Sequence, residues 1–489
     1  MKLRDYQEEA IVKLRVCLGT GKRRPVLQSP TGSGKTVLAA AVVKMAREKG
    51  KRVLFCVPAL SLIDQTVERF RENGIHDIGV IQGMHEMTDY RQPVQVCSVQ
   101  TLARRKIPAA DLVIIDECHV RFKLYDTWMN LPEWQTVPFI GLTATPWAKG
   151  MGTIWDDLII GITTADLIKS GSLSDFKVFA PAHPDLSNVK TVLGDYEAKG
   201  LGEAMNQGSL VADIVSTWLE RGKNSATIAF CVNRVHAKNV QQQFVEAGVA
   251  AEYMDAYTDI ADRNDIVSRF AAGVTKIICN VGVLTTGFDA DVRCIILARP
   301  TKSEILYTQM FGRGLRTAEG KECLIVLDHS DTTLRLGFVT DIHHDTLDMG
   351  VKATAAPRKA PLPKECPKCA FVKPVKVHEC PSCGFKPEAS DKTQVTDGEL
   401  YEITKAKTIK KETWGWDMKQ KFYSELIFYA KLRGYKSGWA YWAYRDKFKE
   451  PPNRSLLNTP ARDISPETSG WITSRNIRQA KSKKRGAGA

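Results

Sequence analysis

The stretch PVLQSPTGSGKTVLAAAVVKMA (25–46) decides how the rest of this sequence is read. An apolar run, the Gly-rich loop SPTGSGKT (29–36) and a helical pattern follow one another directly. That order of strand, loop and helix is the context a phosphate-cradling loop requires. Gly32 and Gly34 let backbone N–H groups surround phosphate oxygens, with Thr31 and Ser33 as further members of the cradle. The helix starting near Lys35 turns its free N–H groups and positive end toward the same anion. Lys35 adds a full charge at the β- and γ-phosphates, and Thr36 offers a hydroxyl to Mg2+. Where the strict spacing has its first Gly, this sequence has Ser29. A Gly-rich turn without a ligand is the plain alternative, and the flanking strand and helix argue against it.

The matching acidic site is LVIIDECH (112–119), a buried strand that ends in two carboxylates. Adjacent carboxylates at a buried strand end are costly without a cation nearby. Asp116 is suited to hold Mg2+ through its water shell, and Glu117 to orient and deprotonate an attacking water.

Further out, VLFCVP (53–58), VQVCSV (94–99) and FIGLTAT (139–145) read as more buried strands, with amphipathic helices between them. Such alternation implies a parallel sheet covered on both faces. The pattern returns at ATIAFCV (226–232), KIICNV (276–281), CIILA (294–298) and CLIVLD (323–328). The expected fold class is therefore α/β, with one lobe over 1–160 and a second over 206–345. A connection rich in Gly, Asp and Lys (161–205) joins them.

The 489 residues are 43% hydrophobic and 25% charged, ordinary for a globular chain, so size sets no limit on the core. The formal charge of +14 points to a polyanionic partner, nucleic acid being the usual one; a basic tail on a soluble protein is the bland reading. No run reaches 18 apolar residues, and MKLRDYQEEA at the start lacks an apolar signal core. No membrane partner and a cytoplasmic setting are expected. Eight of the twelve cysteines are scattered through apolar segments and read as reduced core thiols.

The other four form CPKC (366–369) and CPSCGF (380–385), a C-x2-C-x10-C-x2-C pattern. Cys366, Cys369, Cys380 and Cys383 are expected to hold a structural Zn2+ as a small zinc ribbon, within a linker-and-ribbon segment at 346–390. His378 could substitute for one thiolate, but four regular cysteines make that unnecessary. Residues 391–470 read as a helical, aromatic-rich module, and 471–489 as a disordered basic tail. Within the module, 422–448 predicts two helices, with Gly434 ending the first and Ser437 capping the second. Phe422, Leu426 and Tyr429, joined by Tyr435, Trp439 and Trp442, read as a helical core or as a base-stacking surface amid Lys and Arg.

Taken in order, the motifs resemble those of superfamily 2 DEAD/DEAH-box helicases. LRDYQ (3–7) is similar to the adenine-reading segment, with Arg4 and Gln7 in the matching places. SPTGSGKT is the phosphate loop. VPALSLIDQ (57–65) and SVQTL (98–102) resemble strand-contacting motifs, DECH (116–119) the acidic box and GLTATP (141–146) the coupling motif. FCVNRVHA (230–237), NVGVLTTGFD (280–289) and QMFGRGLR (309–316) complete the set. VLTTGFD, RPTKSEILYTQMFGRGLR and the cysteine pairs are similar to the RadD-like bacterial and phage group in particular. The resemblance covers roughly residues 1–330 and implies two tandem RecA-like lobes. It implies that Arg313 and Arg316 reach across the cleft to the γ-phosphate and that Gln309 sits beside the attacking water. It also implies that Gly287 and Asp289 touch the nucleotide, and that Thr143 and Thr145 link hydrolysis to lobe movement. His119 would couple the acidic box to the opposite lobe, unless it is only a satisfied core histidine.

The resulting expectation is an ATP- and Mg2+-dependent helicase or translocase acting on DNA in repair, recombination or phage replication. It would work as a monomer, with single-strand-binding or recombination proteins as partners. An RNA helicase, a nucleotide-clamped DNA adaptor and the motor subunit of a restriction complex are the alternatives.

Overall fold

The computed structural model describes residues 3–192, 194–285, 288, 290–351, 362–387, 415–436, 438–465, 467–472 and 475. The chain divides into two compact units, Met1–Ala389 and Ser390–Ala489.

The first unit holds two parallel sheets. One is built from β1 (Pro25–Gln28), β2 (Val53–Val57), β3 (Ile78–Ile81), β4 (Val94–Ser98), β5 (Leu112–Asp116), β6 (Phe139–Thr143) and β7 (Asp157–Ile160). Its order is β3-β4-β2-β5-β6-β1-β7. Nearly every strand residue is buried, because helices cover both faces and leave no polar side to alternate with. The order places β6 between β1 and β5, with Gln28 level with Thr143 and Leu142 level with Asp116. The phosphate loop after β1 and the acidic pair after β5 thus emerge about 10 Å apart, two strand spacings, and a lysine side chain can span that gap.

The second sheet contains β8 (Phe176–Phe179), β11 (Thr227–Cys231), β12 (Ala251–Met254), β13 (Ile277–Asn280), β14 (Cys294–Ala298) and β15 (Leu324–Asp328). A short antiparallel hairpin, β9 (Thr191–Val192) and β10 (Asp195–Tyr196), stands beside it. The order is β12-β13-β11-β14-β15-β8, all parallel. Here the structure departs from the sequence reading. β8 lies within 161–205, read as a connection, yet it pairs with β15 as an edge of the second sheet. Leu167 and Leu173 from the same stretch are buried in the second lobe's core. An edge strand is covered on fewer sides and tolerates Lys177 in its middle, so it shows no continuous apolar run.

That edge does not stay open. β16 (Lys364–Glu365) and β17 (Val372–Lys373) form the antiparallel hairpin of the cysteine module. Phe371 bridges Phe179, and Ala180 N donates to Ala370 O at 2.9 Å. Val372 enters the second lobe's core. A module too small for its own core is thereby docked on a sheet edge that needed covering.

Beyond the second lobe the chain returns to the first. Leu347 packs with the first lobe's apolar cluster. Asp348 Oδ1 accepts from Gly150 N at 2.9 Å, and Gly152 N donates to Asp348 O at 2.8 Å. On the same segment His344 pairs with Glu304 of the second lobe at 2.7 Å and packs on Trp147 of the first. Residues 344–350 are a strap between lobes.

The second unit contains the helices Trp416–Leu432, Trp439–Phe448 and Arg454–Leu457. The first two pack through Phe422, Tyr423, Leu426, Ala440, Ala443 and Tyr444. Gly434, at φ +64°, follows the end of the first helix, where a left-handed residue is needed. Ser437 and, apart from Trp471, Ile472 and Arg475, the 471–489 tail lie outside the described residues. Among the described residues no helix is long and apolar enough to cross a membrane.

Candidate functional site

The phosphate loop is shaped from below. Gln7 is buried, and its Nε2 donates to Ser33 O at 3.1 Å and Gly34 O at 3.3 Å. Tyr6 Oη donates to Ser33 O at 2.7 Å. Ser29 and Ser33 hydroxyls meet at 2.6 Å, so the serine in place of the first Gly helps brace the loop. Gly34 has φ +79°, and a Cβ there would stand 2.6 Å from Gln7 Nε2. Sequence reasoning placed Arg4 and Gln7 together at the adenine. Gln7 supports the loop backbone, while the Arg4 guanidinium donates to Tyr6 Oη at 3.1 Å. Tyr6 went unremarked, although an aromatic hydroxyl beside Gln7 was a visible signal.

Across the cleft floor, Lys35 pairs with Asp116 at 3.1 Å and with the Glu117 carboxylate. Burial pushes the Lys35 ammonium down, but Asp116 and Glu117 outweigh it and hold it above its ordinary value. Burial likewise pushes Glu117 up, and the charges of Lys35 and Arg313, with the Lys35 hydrogen bond, reverse this and hold it low. Burial keeps Asp116 raised. Glu117 has φ +46°, a left-handed backbone that costs on the order of 1–3 kcal/mol. Its Oε2 is buried without a hydrogen-bond partner among the described residues. An ionised, strained carboxylate whose Oε2 makes no such hydrogen bond is equipped to accept a proton from water.

His119 carries the link between lobes. Its Nδ1 lies 2.8 Å from Thr143 Oγ1 and 3.4 Å from Glu117 Oε2. Its Nε2 lies 3.1 Å from Gln309 Nε2, on the helix Glu304–Gly312 of the second lobe. With that amide donating, the neutral ring bears its proton on Nδ1. Burial lowers the pKa of His119 despite Glu117 nearby, which suits the neutral form. Thr143 Oγ1 also accepts from Thr145 N at 3.0 Å. One polar chain thus runs from Thr145 through Thr143 and His119 to Gln309. Gln309 meets His119 and not the acidic pair itself.

Arg313 and Arg316 follow the same helix and line the same cavity as Lys35, Thr36, Asp116 and Glu117, a space of about 300 Å³ between the lobes. Both donate to Phe288 O, at 3.2 Å and 2.9 Å. Gly312 approaches the phosphate loop so closely that a Cβ there would stand 2.8 Å from Thr31 Cβ. Lys321, which sequence reasoning missed, donates to Val292 O at 2.8 Å, Gly314 O at 2.5 Å and Arg316 O at 2.7 Å. Only its position after the arginine motif hinted at it. Gly287 and Asp289 lie outside the described residues. Oxygen donors of Asp116 and Thr36 around one cavity suit a hard cation such as Mg2+.

In the cysteine module, the Sγ atoms of Cys366, Cys369, Cys380 and Cys383 all lie within 4.8 Å of one another. Cys366 and Cys383 are 3.8 Å apart, and Cys369 and Cys380 are 3.6 Å apart. Four thiolates about 2.3 Å from one zinc would stand about 3.8 Å apart, so the set fits tetrahedral Zn2+. His378 is not among the converging donors.

Two protein families match the chain. Residues 1–148 match the family described as "Type III restriction enzyme, res subunit", and residues 209–318 match "Helicase conserved C-terminal domain". A "51.5 kDa protein" of Lactococcus phage (isolate 7-9) is 28% identical over 417 residues, covering 81% of this chain and 86% of the phage protein. "Putative ATP-dependent helicase IRC3" of Saccharomyces cerevisiae is 27% identical over 354 residues, 67% of this chain and 51% of the yeast protein. The chain thus spans about half the length of that relative. Among solved structures, "The fragment structure of a putative HsdR subunit of a type I restriction enzyme from Vibrio vulnificus YJ016" shares the fold. Its TM-score is 0.52 at 23% identity, covering 68% of this chain and 65% of that one.

Proposed function

We propose, from the premise that this chain is an ATP-hydrolysing superfamily 2 helicase of the DEAD/DEAH type, that its substrate polymer is DNA and that it translocates on or unwinds it. The RadD-like subgroup stays an inference from the wording of the motifs. The observation that carries the motor reading is the hydrogen bond between His119 and Gln309, which ties the acidic box to the opposite lobe. The restriction-enzyme family matched by residues 1–148 supports DNA over RNA.

The chemistry follows from the residues around the cavity. Backbone N–H groups of the 31–36 loop and Lys35 hold the β- and γ-phosphates. Mg2+, when bound beside Asp116 and Thr36, supplies charge neutralisation on the phosphate oxygens. Glu117 accepts a proton from water as its oxygen attacks the γ-phosphorus. The bond to the β–γ bridging oxygen breaks, and ADP leaves with that electron pair. Arg313 and Arg316 stabilise the charge on the transferring phosphoryl group. Gln309 and His119 tie this step to lobe position. Loss of γ-phosphate contacts then loosens the grip between lobes. We place this activity in DNA repair, recombination or phage replication, in the cytoplasm of a bacterium or an infected host. A monomer would work there with single-strand-binding or recombination proteins.

The test is ATP hydrolysis with single-stranded DNA, duplex DNA or RNA added; stimulation by RNA alone overturns the DNA assignment. Strand displacement on forked, 3′-tailed and 5′-tailed duplexes then separates unwinding from translocation. The same family match favours a second reading, the motor subunit of a restriction complex. It predicts stimulation by DNA only once partner subunits are added.

A further inference from the structure

The second unit carries aromatic rings that its own core does not use. Tyr435 is 43% exposed and Trp442 is 56% exposed. Tyr435 stacks on Trp439 with ring centroids 5.0 Å apart and planes 29° from parallel. Tyr429 closes a triangle with them, 5.5 Å from Trp439 and 6.2 Å from Tyr435. Trp442 stands one turn further along the same helix as Trp439, with the Arg445 guanidinium 5.1 Å from its ring. Arg475 lies over Trp439 at 5.4 Å.

The charge around these rings is mainly positive. Lys431, Arg433, Lys436, Arg445 and Lys449 are exposed on this stretch. The single acid from 429 to 449 is Asp446, paired with Arg475 at 2.6 Å. Burying such rings in a folding core would bring the cations with them, at a desolvation cost. An apolar protein partner would meet the same penalty. A polymer of flat rings on a phosphate backbone meets neither, because its bases lie on the exposed rings while its phosphates approach the cations.

We propose that the second unit is a contact for single-stranded DNA. Trp442 and the outer face of Tyr435 stack bases, and the surrounding Lys and Arg side chains hold the flanking phosphates. This goes beyond the motor reading, because it requires neither nucleotide nor lobe closure. Contact through ring faces accepts any base, so the surface reads strandedness and not sequence.

The full chain is titrated, without ATP, with an oligo-dT and with an abasic deoxyribose-phosphate oligomer of equal length. Replacing both rings, Tyr435→Ala with Trp442→Ala, weakens oligo-dT binding about tenfold and leaves the abasic oligomer within about twofold. Trp442→Phe keeps most of the affinity, because a flat ring remains. A 5-iododeoxyuridine oligomer crosslinks within residues 435–442. Unchanged oligo-dT affinity in the double variant overturns the proposal. So does an equal loss for both oligomers, which would assign the rings to the fold or the site to charge alone. DNA-stimulated hydrolysis by the unaltered chain tests the motor separately, so the two readings fail in different measurements.

Discussion

At the scale of single residues, the proposed chemistry rests on the acidic pair. Glu117→Gln keeps the shape and removes the proposed proton acceptor. It is expected to bind ATP with near-normal affinity while kcat falls by about 10²–10⁴. Normal turnover would take the general-base role from Glu117. The pH dependence follows from the two shifts. Glu117 is held below its ordinary 4.5, so its charge and pairing are complete above that value and are lost only as pH falls through the lower folded one. His119 is held below its ordinary 6.5 and stays neutral as pH falls through that value. On the acid side a kcat profile flat down to about pH 6 is expected, and an acid limb centred near 6.5 would show His119 charging in place. Lys35, Asp116 and Glu117 were legible because each sits in a local pattern that chemistry requires. The roles of Gln7 under the loop and of Gly312 against Thr31 were not, because both come from segments brought together only by the fold.

At the scale of elements, two small pieces carry weight out of proportion to their size. The turn after the helix Glu304–Gly312 presents Arg313 and Arg316, and Lys321 fastens three carbonyls around it. Lys321→Met is expected to lower kcat about tenfold while leaving ATP affinity within about twofold. Lys321→Arg should recover part of the loss through its longer fork of donors. A change confined to KM would remove Lys321 from the positioning role. In the ribbon, the residue after each second cysteine is left-handed: Ala370 at φ +55° and Gly384 at φ +68°. Ala370 bears a strain that Gly384 avoids, roughly 1–2 kcal/mol, partly offset by the greater freedom of an unfolded glycine. Ala370→Gly is therefore expected to raise the denaturant midpoint for zinc release, and metal analysis should find about one zinc per chain. A lower midpoint would mean that the Ala370 methyl packs usefully. The cysteine spacing was readable, but the docking of this module on β8 was not. Edge pairing by Phe179 and Phe371 is a contact between distant segments with no motif of its own.

At the scale of the whole molecule, the charge of +14 predicts a salt-sensitive grip on nucleic acid. Contacts to phosphates release counterions, so affinity for a random-sequence strand should fall at least about tenfold between about 50 and 200 mM salt, with a linear double-logarithmic plot. An affinity indifferent to salt would mean that the positive charge is spent elsewhere. The two lobes were legible because buried parallel strands repeat as apolar runs, whereas the strap at 344–350 is short and polar and carried no such signature. Yet the strap alters the mechanics. Two plates joined by one flexible link can swivel about three axes. Joined again at a second, separate point by Asp348 and Leu347, they retain chiefly rotation about the line through both joints. Lobes held so would open and close as a door on two hinges, along one arc. Confined in that way, the two halves of the cavity lining, Lys35 on one side and Arg313 on the other, would meet in the same register at each closure.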